Sequence, residues 1–168
     1  MKRFTKLVLA LACTAIFAGM FLFVGCDKDE GVALSGTMTI VLDGKNGTIE
    51  TVEADLSAFT TADSAMDVIE ALAADKKMCY KGSEGAYGMM LSDVGVYKDG
   101  AETYIVSQND AEGKYIYLYT NVEKDKNDYE GMTTVEYEGQ TLAESMNSIS
   151  SMTIEDGAIV YITTIVWG

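Results

Sequence analysis

The chain has 168 residues, of which 26 are acidic and 12 basic, and it contains neither histidine nor proline. The lack of histidine excludes His-based catalytic triads and imidazole metal ligands. Residues 1–25 hold three basic residues and no acidic one, so the remaining 143 residues carry a net charge of −17, which disfavours binding to nucleic acid or to anionic membrane surfaces.

The first 26 residues have the pattern of a bacterial export signal. Lys2, Arg3 and Lys6 precede an uncharged run over residues 7–24. The Gly-Cys step that ends the run resembles a lipoprotein lipobox, in which the thiol of Cys26 receives a diacylglyceryl group and becomes the first mature residue. The pattern predicts a cleaved signal peptide and a protein held on the extracytoplasmic face of the membrane by its lipid.

The resulting organisation is a signal peptide over residues 1–25, a tether over 26–35 and a domain over 36–168. An uncleaved transmembrane anchor is the alternative, because an 18-residue apolar run spans about 27 Å. If Cys26 is lipidated, Cys79 has no partner and the fold stands without a disulfide; without lipidation, a bridge between the two becomes available.

The domain opens with a predicted hairpin and a helix. Residues 37–42 and 48–54 are β-prone and flank the turn residues 43–47, which contain two glycines. Ser64 followed by Asp67 favours a helix start, and apolar residues recur at helical spacing, so we predict a helix over residues 62–74.

Strands are predicted for most of the remainder, separated by Gly-rich and acidic turns. They cover residues 78–81, 87–94, 103–107, 114–122, 133–137 and 158–167. The last is rich in β-branched residues and is predicted to lie centrally in its sheet. Residues 123–130 are read as an acidic loop and 142–152 as a polar connector. The order of elements predicts an α+β fold with one sheet packed on one helix.

The motifs of this chain resemble the transcobalamin C-terminal-like domain family, which is common in lipoproteins of Gram-positive gut bacteria. They are the helix segment 64–72, the run Gly-Ala-Tyr-Gly-Met-Met over residues 85–90, the aromatic strand 113–121 and the Glu-Asp-Gly turn at 155–157. The resemblance implies a β-grasp-like mixed sheet on one main helix. In animal vitamin carriers the family domain closes over cobalamin together with a helical domain.

Two sets of residues are candidates for ligand binding. Tyr115, Tyr117 and Tyr119 alternate along one strand and therefore share a face, where they form either a stacking platform or an ordinary tyrosine-covered sheet face. Tyr87 and Met89 follow the Gly85 loop and are candidates for a pocket wall, although methionine is also a common core filler.

The acidic loop 123–130 offers oxygen ligands that suit Ca²⁺. Counted from Asp125, however, the fifth and sixth positions hold Tyr129 and Glu130, where an EF-hand requires an acid or amide and a glycine. We therefore expect a solvated loop and no metal site.

No nucleophile is flanked by a visible base, so no enzymatic activity is expected. The predicted function is a surface lipoprotein that binds a small molecule without catalysis, with cobalamin as the candidate ligand and a transporter as the candidate partner. The alternative is a structural or protein-interaction domain of the cell envelope.

Overall fold

Nine strands and one α-helix make up the part of the chain that the computed structural model describes, residues 31–167. The predicted signal peptide and Cys26 lie outside these residues. The strands are β1 (Thr37–Asp43), β2 (Ile49–Asp55), β3 (Met78–Gly85), β4 (Gly88–Lys98), β5 (Ala101–Ser107), β6 (Lys114–Thr120), β7 (Thr134–Tyr137), β8 (Gln140–Glu144) and β9 (Ile159–Val166). The helix is α1 (Ala65–Ala74), and short 3-10 turns span Asp110–Glu112 and Glu123–Asp125. The predicted α+β class is confirmed.

The opening hairpin forms as its sequence predicts. β1 and β2 pair antiparallel from Thr37 opposite Asp55 to Asp43 opposite Ile49. In the turn, the Asp43 and Asn46 side chains accept hydrogen bonds from nearby backbone N–H groups, and Gly47 has φ of +88°, a conformation that glycine adopts without strain.

A six-stranded mixed sheet has the order β2-β1-β9-β6-β8-β7. β9 runs parallel to β1 and antiparallel to β6. Ile159 to Thr164 are all buried, because both faces of this strand are covered. The predicted central position of the last strand is confirmed.

The helix begins later than predicted, at Ala65 instead of residue 62. Asp63 accepts hydrogen bonds from the backbone N–H and hydroxyl of Thr60, which holds the preceding residues in a turn. Ser64 is the N-cap and forms a reciprocal capping box with Asp67. No helix in residues 31–167 is long and apolar enough to cross a membrane.

A three-stranded antiparallel sheet, in the order β3-β4-β5, faces the helix and the larger sheet. The prediction of a single sheet on one helix is therefore wrong, because within residues 31–167 β3, β4 and β5 pair only with one another. Both of its pairings carry a register shift, between Lys81 and Gly82 and between Val94 and Gly95. The main core lies between the two sheets and α1. Its largest fully buried side chains include Met38, Ile40, Leu42, Leu56, Ile69, Met78, Ile149, Met152 and Ile162.

A second, smaller core lies on the opposite face of the six-stranded sheet. Ile116 and Leu118 of β6 face the main core, whereas Tyr117 and Tyr119 face this second cluster. The β7–β8 hairpin covers it, with Leu142 fully buried. The remaining members are Val41, Val135, Tyr137, Ile159 and Tyr161.

The large sheet curls so that its two edges approach each other. The hydroxyl of Tyr137 on edge strand β7 lies 3.2 Å from Oγ1 of Thr51 on edge strand β2. The Tyr137 ring also packs on Tyr161, with 5.9 Å between ring centroids. Tyr137 from edge strand β7 therefore packs over the central strand β9 and contacts edge strand β2.

Two further sequence assignments change in the structure. The predicted connector 142–152 begins inside β8, which the sequence did not reveal. Residues 31–35 of the predicted tether belong to the packed unit: Leu34 donates a 2.9 Å backbone hydrogen bond to Phe59, and Thr61 donates one of 2.9 Å to Val32.

Candidate functional site

An apolar cleft of about 250 Å³ lies between β4, β6 and the segment that follows β8. Its lining is mainly aliphatic and thioether, and its polar side chains are those of Gln108, Tyr115 and Ser148. The lining residues are Met89, Met90, Leu91, Gln108, Tyr115, Ile116, Leu118, Ser148 and Ile149.

The strands place these side chains by simple alternation. Ile116 and Leu118 on β6 point toward the three-stranded sheet and meet β4 across the cleft. Leu91 is buried at the base, whereas Met90 is 64% exposed at the mouth. The cleft is therefore a gap between the two sheets at the edge of the main core.

Two shallower depressions adjoin the cleft. One of about 480 Å³ is lined by residues that include Tyr87 and Met146 and shares Ser148 with the cleft. The other, of about 190 Å³, includes Tyr117 and Glu144 and shares the two aliphatic residues of β6. The segment 145–151 borders all three.

Four of the five residues predicted to bind a ligand line the cleft or one of its two neighbouring depressions. Met89 and Tyr115 come together in the cleft. Tyr87, 89% exposed, lies on the neighbouring depression at the tip of the β3–β4 hairpin. Tyr117 lines the smaller depression and packs between Tyr119 and Trp167, with ring centroids 6.3 Å away in each case.

Tyr119 differs from the other four because it is only 2% exposed. Its hydroxyl lies 2.8 Å from Oγ1 of Thr133, and its ring packs edge-on against Tyr161. The ring is part of the second core beneath the β7–β8 hairpin, so a ligand has no access to its face.

The acidic loop contains a buried carboxylate. Asp125 is 2% exposed, and its oxygens accept hydrogen bonds from Asn147 Nδ2 at 2.7 Å, Thr153 N at 2.6 Å and Thr153 Oγ1 at 3.2 Å. Its lone pairs are thus directed at protein donors. Within residues 31–167, no three acidic or cysteine side chains are grouped as metal ligands.

Three groups with perturbed pKa values, Asp43, Tyr104 and Cys79, lie outside the lining of the cleft. Burial raises the pKa of Asp43, but hydrogen bonds from the Lys45 backbone N–H and the Tyr161 hydroxyl, together with the Lys45 ammonium, outweigh it and hold the pKa below the usual 3.8. On β5, the hydrogen bond to Glu102 raises the pKa of Tyr104 to about 12. Burial raises the pKa of the Cys79 thiol, which keeps it protonated at neutral pH.

The cleft combines an apolar lining with a few polar side chains. Its lining contains no aspartate, glutamate, lysine or arginine, and apolar surface with a few neutral hydrogen-bonding groups is typical of small-molecule sites. Sequence reasoning missed Ile149 and Ser148 because they lie in a segment without periodicity. For the β4 side of the cleft, the only local indication in the sequence was the adjacent pair Met89 and Met90.

Comparison with protein-family models finds no match, and comparison with curated proteins finds none. Comparison with solved structures finds a likeness to the crystal structure of a "putative metal binding protein" from Ruminococcus gnavus ATCC 29149. The identity is 15%, the match covers 80% of this chain and 100% of that chain, and the TM-score is 0.47. At this distance the likeness carries no inference about what this chain binds.

Proposed function

We propose that the chain is a cell-surface lipoprotein with a β-grasp-like domain similar to the transcobalamin C-terminal-like family, and that it captures a small molecule without catalysis. The observation that carries the proposal is the apolar cleft between β4 and β6, lined by Met89, Tyr115 and their neighbours. Small-molecule sites are typically concave and mostly apolar, with a few polar groups that orient the ligand, and the cleft has this composition.

The cleft favours an uncharged apolar group of modest size. Its volume of about 250 Å³ is smaller than the roughly 300–1,000 Å³ of typical drug-sized sites. A charged group would lose its hydration there without an ionic partner, which is costly. Gln108 and Ser148 are available to hydrogen-bond a neutral ligand. A cobalamin-like ligand would insert an edge or side group while the remainder stays outside.

The lipid anchor is proposed on the pattern of the first 26 residues. From Cys26 to Val32, where backbone pairing with Thr61 begins, a fully extended chain spans about 20 Å. The domain would therefore sit close to the bilayer. Incorporation of labelled palmitate into the protein, and its loss in Cys26→Ser, test this part independently of ligand binding.

Binding is tested with the secreted form, residues 26–168 carrying Cys26→Ser, titrated with N-phenyl-1-naphthylamine and with cyanocobalamin. We expect saturable fluorescence enhancement of the naphthylamine. Met90→Glu, which places a charge at the mouth of the cleft, should abolish it. Ile49→Glu is the matched control, because Ile49 is also exposed and lies on β2 outside the cleft. Absence of probe binding would refute the proposal that the cleft binds a small molecule. A flat calorimetric response to cyanocobalamin would refute only the proposal of a corrinoid ligand.

The preference for uncharged ligands is tested with a matched pair of probes. 8-Anilinonaphthalene-1-sulfonate resembles the neutral naphthylamine but carries a sulfonate. We expect much weaker binding of the sulfonate, including at 1 M salt, where a Debye length of about 3 Å screens the repulsion from the acidic domain. Equal affinities at high salt would contradict the desolvation argument.

A protein-interaction domain is the second candidate. Tyr87, Met90 and Met146 are large apolar side chains exposed around the cleft and its neighbouring depression. Grouped exposed apolar side chains mark interaction surfaces. If this candidate is correct, Tyr87→Ser should reduce the recovery of an envelope protein in a pull-down with the lipidated protein. The parent protein should then show no binding of the naphthylamine probe.

A further inference from the structure

The segment between β8 and β9 forms one wall of the apolar cleft. Ser148 and Ile149 line the cleft, and both lie within residues 147–153. Asn147 and Thr153, at the two ends of this stretch, each donate to the carboxylate of Asp125, at 2.7 Å and 2.6 Å. Just before it, the backbone N–H of Met146 donates to the Asp125 carbonyl at 2.9 Å. One residue therefore fixes both ends of the wall.

The middle of the wall is tied to other elements. The backbone N–H of Met89, on the opposite side of the cleft, donates to Ser150 Oγ at 2.9 Å. The carbonyls of Ile149 and Met152 accept the free N–H groups of Met66 and Ala65 at the start of α1, both at 3.1 Å. These bonds join the wall to β4 and to the helix, so a displacement of its ends would be transmitted to the lining of the cleft.

The geometry at Asp125 is strongly determined. A nearly inaccessible carboxylate needs hydrogen-bond donors, and none of its three bonded donors is a lysine or arginine. Thr153 N donates to Oδ2, whereas Asn147 Nδ2 and the Thr153 hydroxyl share Oδ1, so loss of any one donor leaves a buried charged oxygen with fewer hydrogen bonds. A site held in this way is pre-organised, which reduces the ordering cost of binding.

We propose that Asp125 is a positioning residue for the cleft: through Asn147 and Thr153 it holds Ser148 and Ile149 in the arrangement that binds ligand. This inference rests on the proposed small-molecule function. Asp125, in the acidic loop, would then influence ligand affinity although it does not line the cleft.

The test compares Asp125→Asn with Asp43→Asn in the secreted form, using the naphthylamine as probe. Asp43 is also a buried carboxylate held by protein donors, here the Tyr161 hydroxyl and the backbone N–H and ammonium of Lys45, but it lies on β1 and does not line the cleft. Both variants should lower the melting temperature. At a temperature where both are fully folded, we expect Asp125→Asn to raise the probe Kd about tenfold, equivalent to about 1.4 kcal/mol, and Asp43→Asn to change it less than twofold.

A charge-and-donor swap separates positioning from a general loss of structure. In Asp125→Asn combined with Asn147→Asp, the new amide at 125 can accept from Thr153 N and donate to the new carboxylate at 147. Recovery of most of the affinity lost in the single Asp125→Asn variant supports the proposal. If Asp125→Asn does not fold, Asn147→Ala removes a single donor and should still weaken the probe severalfold.

The outcomes are distinguishable. If the parent does not bind the probe, the proposed function fails. If the parent binds and Asp125→Asn, or Asn147→Ala in its place, binds equally well, the cleft stands and the role of Asp125 is refuted. Equal loss of affinity in Asp43→Asn would also refute it, because the effect would then follow stability and not position.

Discussion

Removing the hydroxyl of Tyr161 should destabilise the protein by an amount that depends on pH. In the parent this hydroxyl donates to Asp43 Oδ2 at 2.7 Å in the second core. Tyr161→Phe preserves the ring and its edge contacts with Tyr119 and Tyr137. The substitution therefore isolates one hydrogen bond to a charged group.

The magnitude follows from what Asp43 retains. Its other oxygen still accepts the backbone N–H of Lys45 at 2.8 Å, and the Lys45 ammonium stays 3.0 Å from Oδ2. The lost bond is buried and ionic, which is worth about 1.5–3 kcal/mol. Because Asp43 keeps two partners, we expect a loss of about 2 kcal/mol at pH 7, or about 6 °C in melting temperature.

The pH dependence has a definite sign. The folded-state pKa of Asp43 lies below 3.8, so its contribution is fully present above that value and is lost as the pH falls through the folded pKa. Tyr161 contributes to that depression. The difference in unfolding free energy between Tyr161→Phe and the parent should therefore shrink from about 2 kcal/mol at pH 7 as the pH falls below 3.8 and Asp43 becomes protonated in the folded parent.

Urea unfolding followed by far-ultraviolet circular dichroism, at several values between pH 2.5 and pH 7, measures this difference. Tyr137→Phe is the matched control, because its hydroxyl meets the neutral Oγ1 of Thr51 at 3.2 Å. It should cost about 0.5–1 kcal/mol at every pH. A Tyr161→Phe loss below 0.5 kcal/mol at pH 7, or one that persists undiminished in acid, would refute the reasoning.

Two further predictions concern a glycine and a thiol. Gly88 has φ of +96°, and a Cβ there would lie 2.7 Å from Cβ of Ser150. We expect Gly88→Ala to lower the free energy of unfolding in urea by more than about 1 kcal/mol and to weaken naphthylamine binding. Gly139→Ala is the control: Gly139 has φ of +78° and no atom near the position of the new Cβ, so the variant should lose stability through backbone strain and keep its affinity for the probe. Cys79 is buried and has a raised pKa, so it should react with Ellman's reagent slowly in the native protein and rapidly in denaturant; equal rates would contradict its burial.

The local patterns of the sequence were sufficient for the elements that they specify directly. The Asp-Gly-Lys-Asn-Gly turn predicted the first hairpin, Ser64 and Asp67 predicted the helix start within three residues, and the β-branched run predicted the central strand. In each case the signal lies in neighbouring residues, as turn chemistry, capping and alternation require.

The site was predicted only in part because its geometry depends on contacts between distant residues. Tyr115 was identified from strand alternation and Met89 from its position after the Gly85 loop, but their meeting depends on how the two sheets pack. Alternation correctly separated Tyr117 and Tyr119 from their aliphatic neighbours, yet it could not indicate that β7 and β8 cover Tyr119. The acidic loop was predicted to be solvated, because no local pattern near Asp125 indicates that Asn147 and Thr153, 22 and 28 residues further along the chain, donate hydrogen bonds to it.

The aromatic side chains of the curled sheet give the folded protein an intrinsic optical reporter. Trp167 is the single tryptophan of the chain and lies 6.3 Å from Tyr117, which is in turn 6.3 Å from Tyr119. Tyrosines at such spacing transfer their excitation efficiently to tryptophan. Light absorbed by the phenol rings should thus emerge as indole emission while β6 and β9 remain paired, and tyrosine emission should return when these two strands separate.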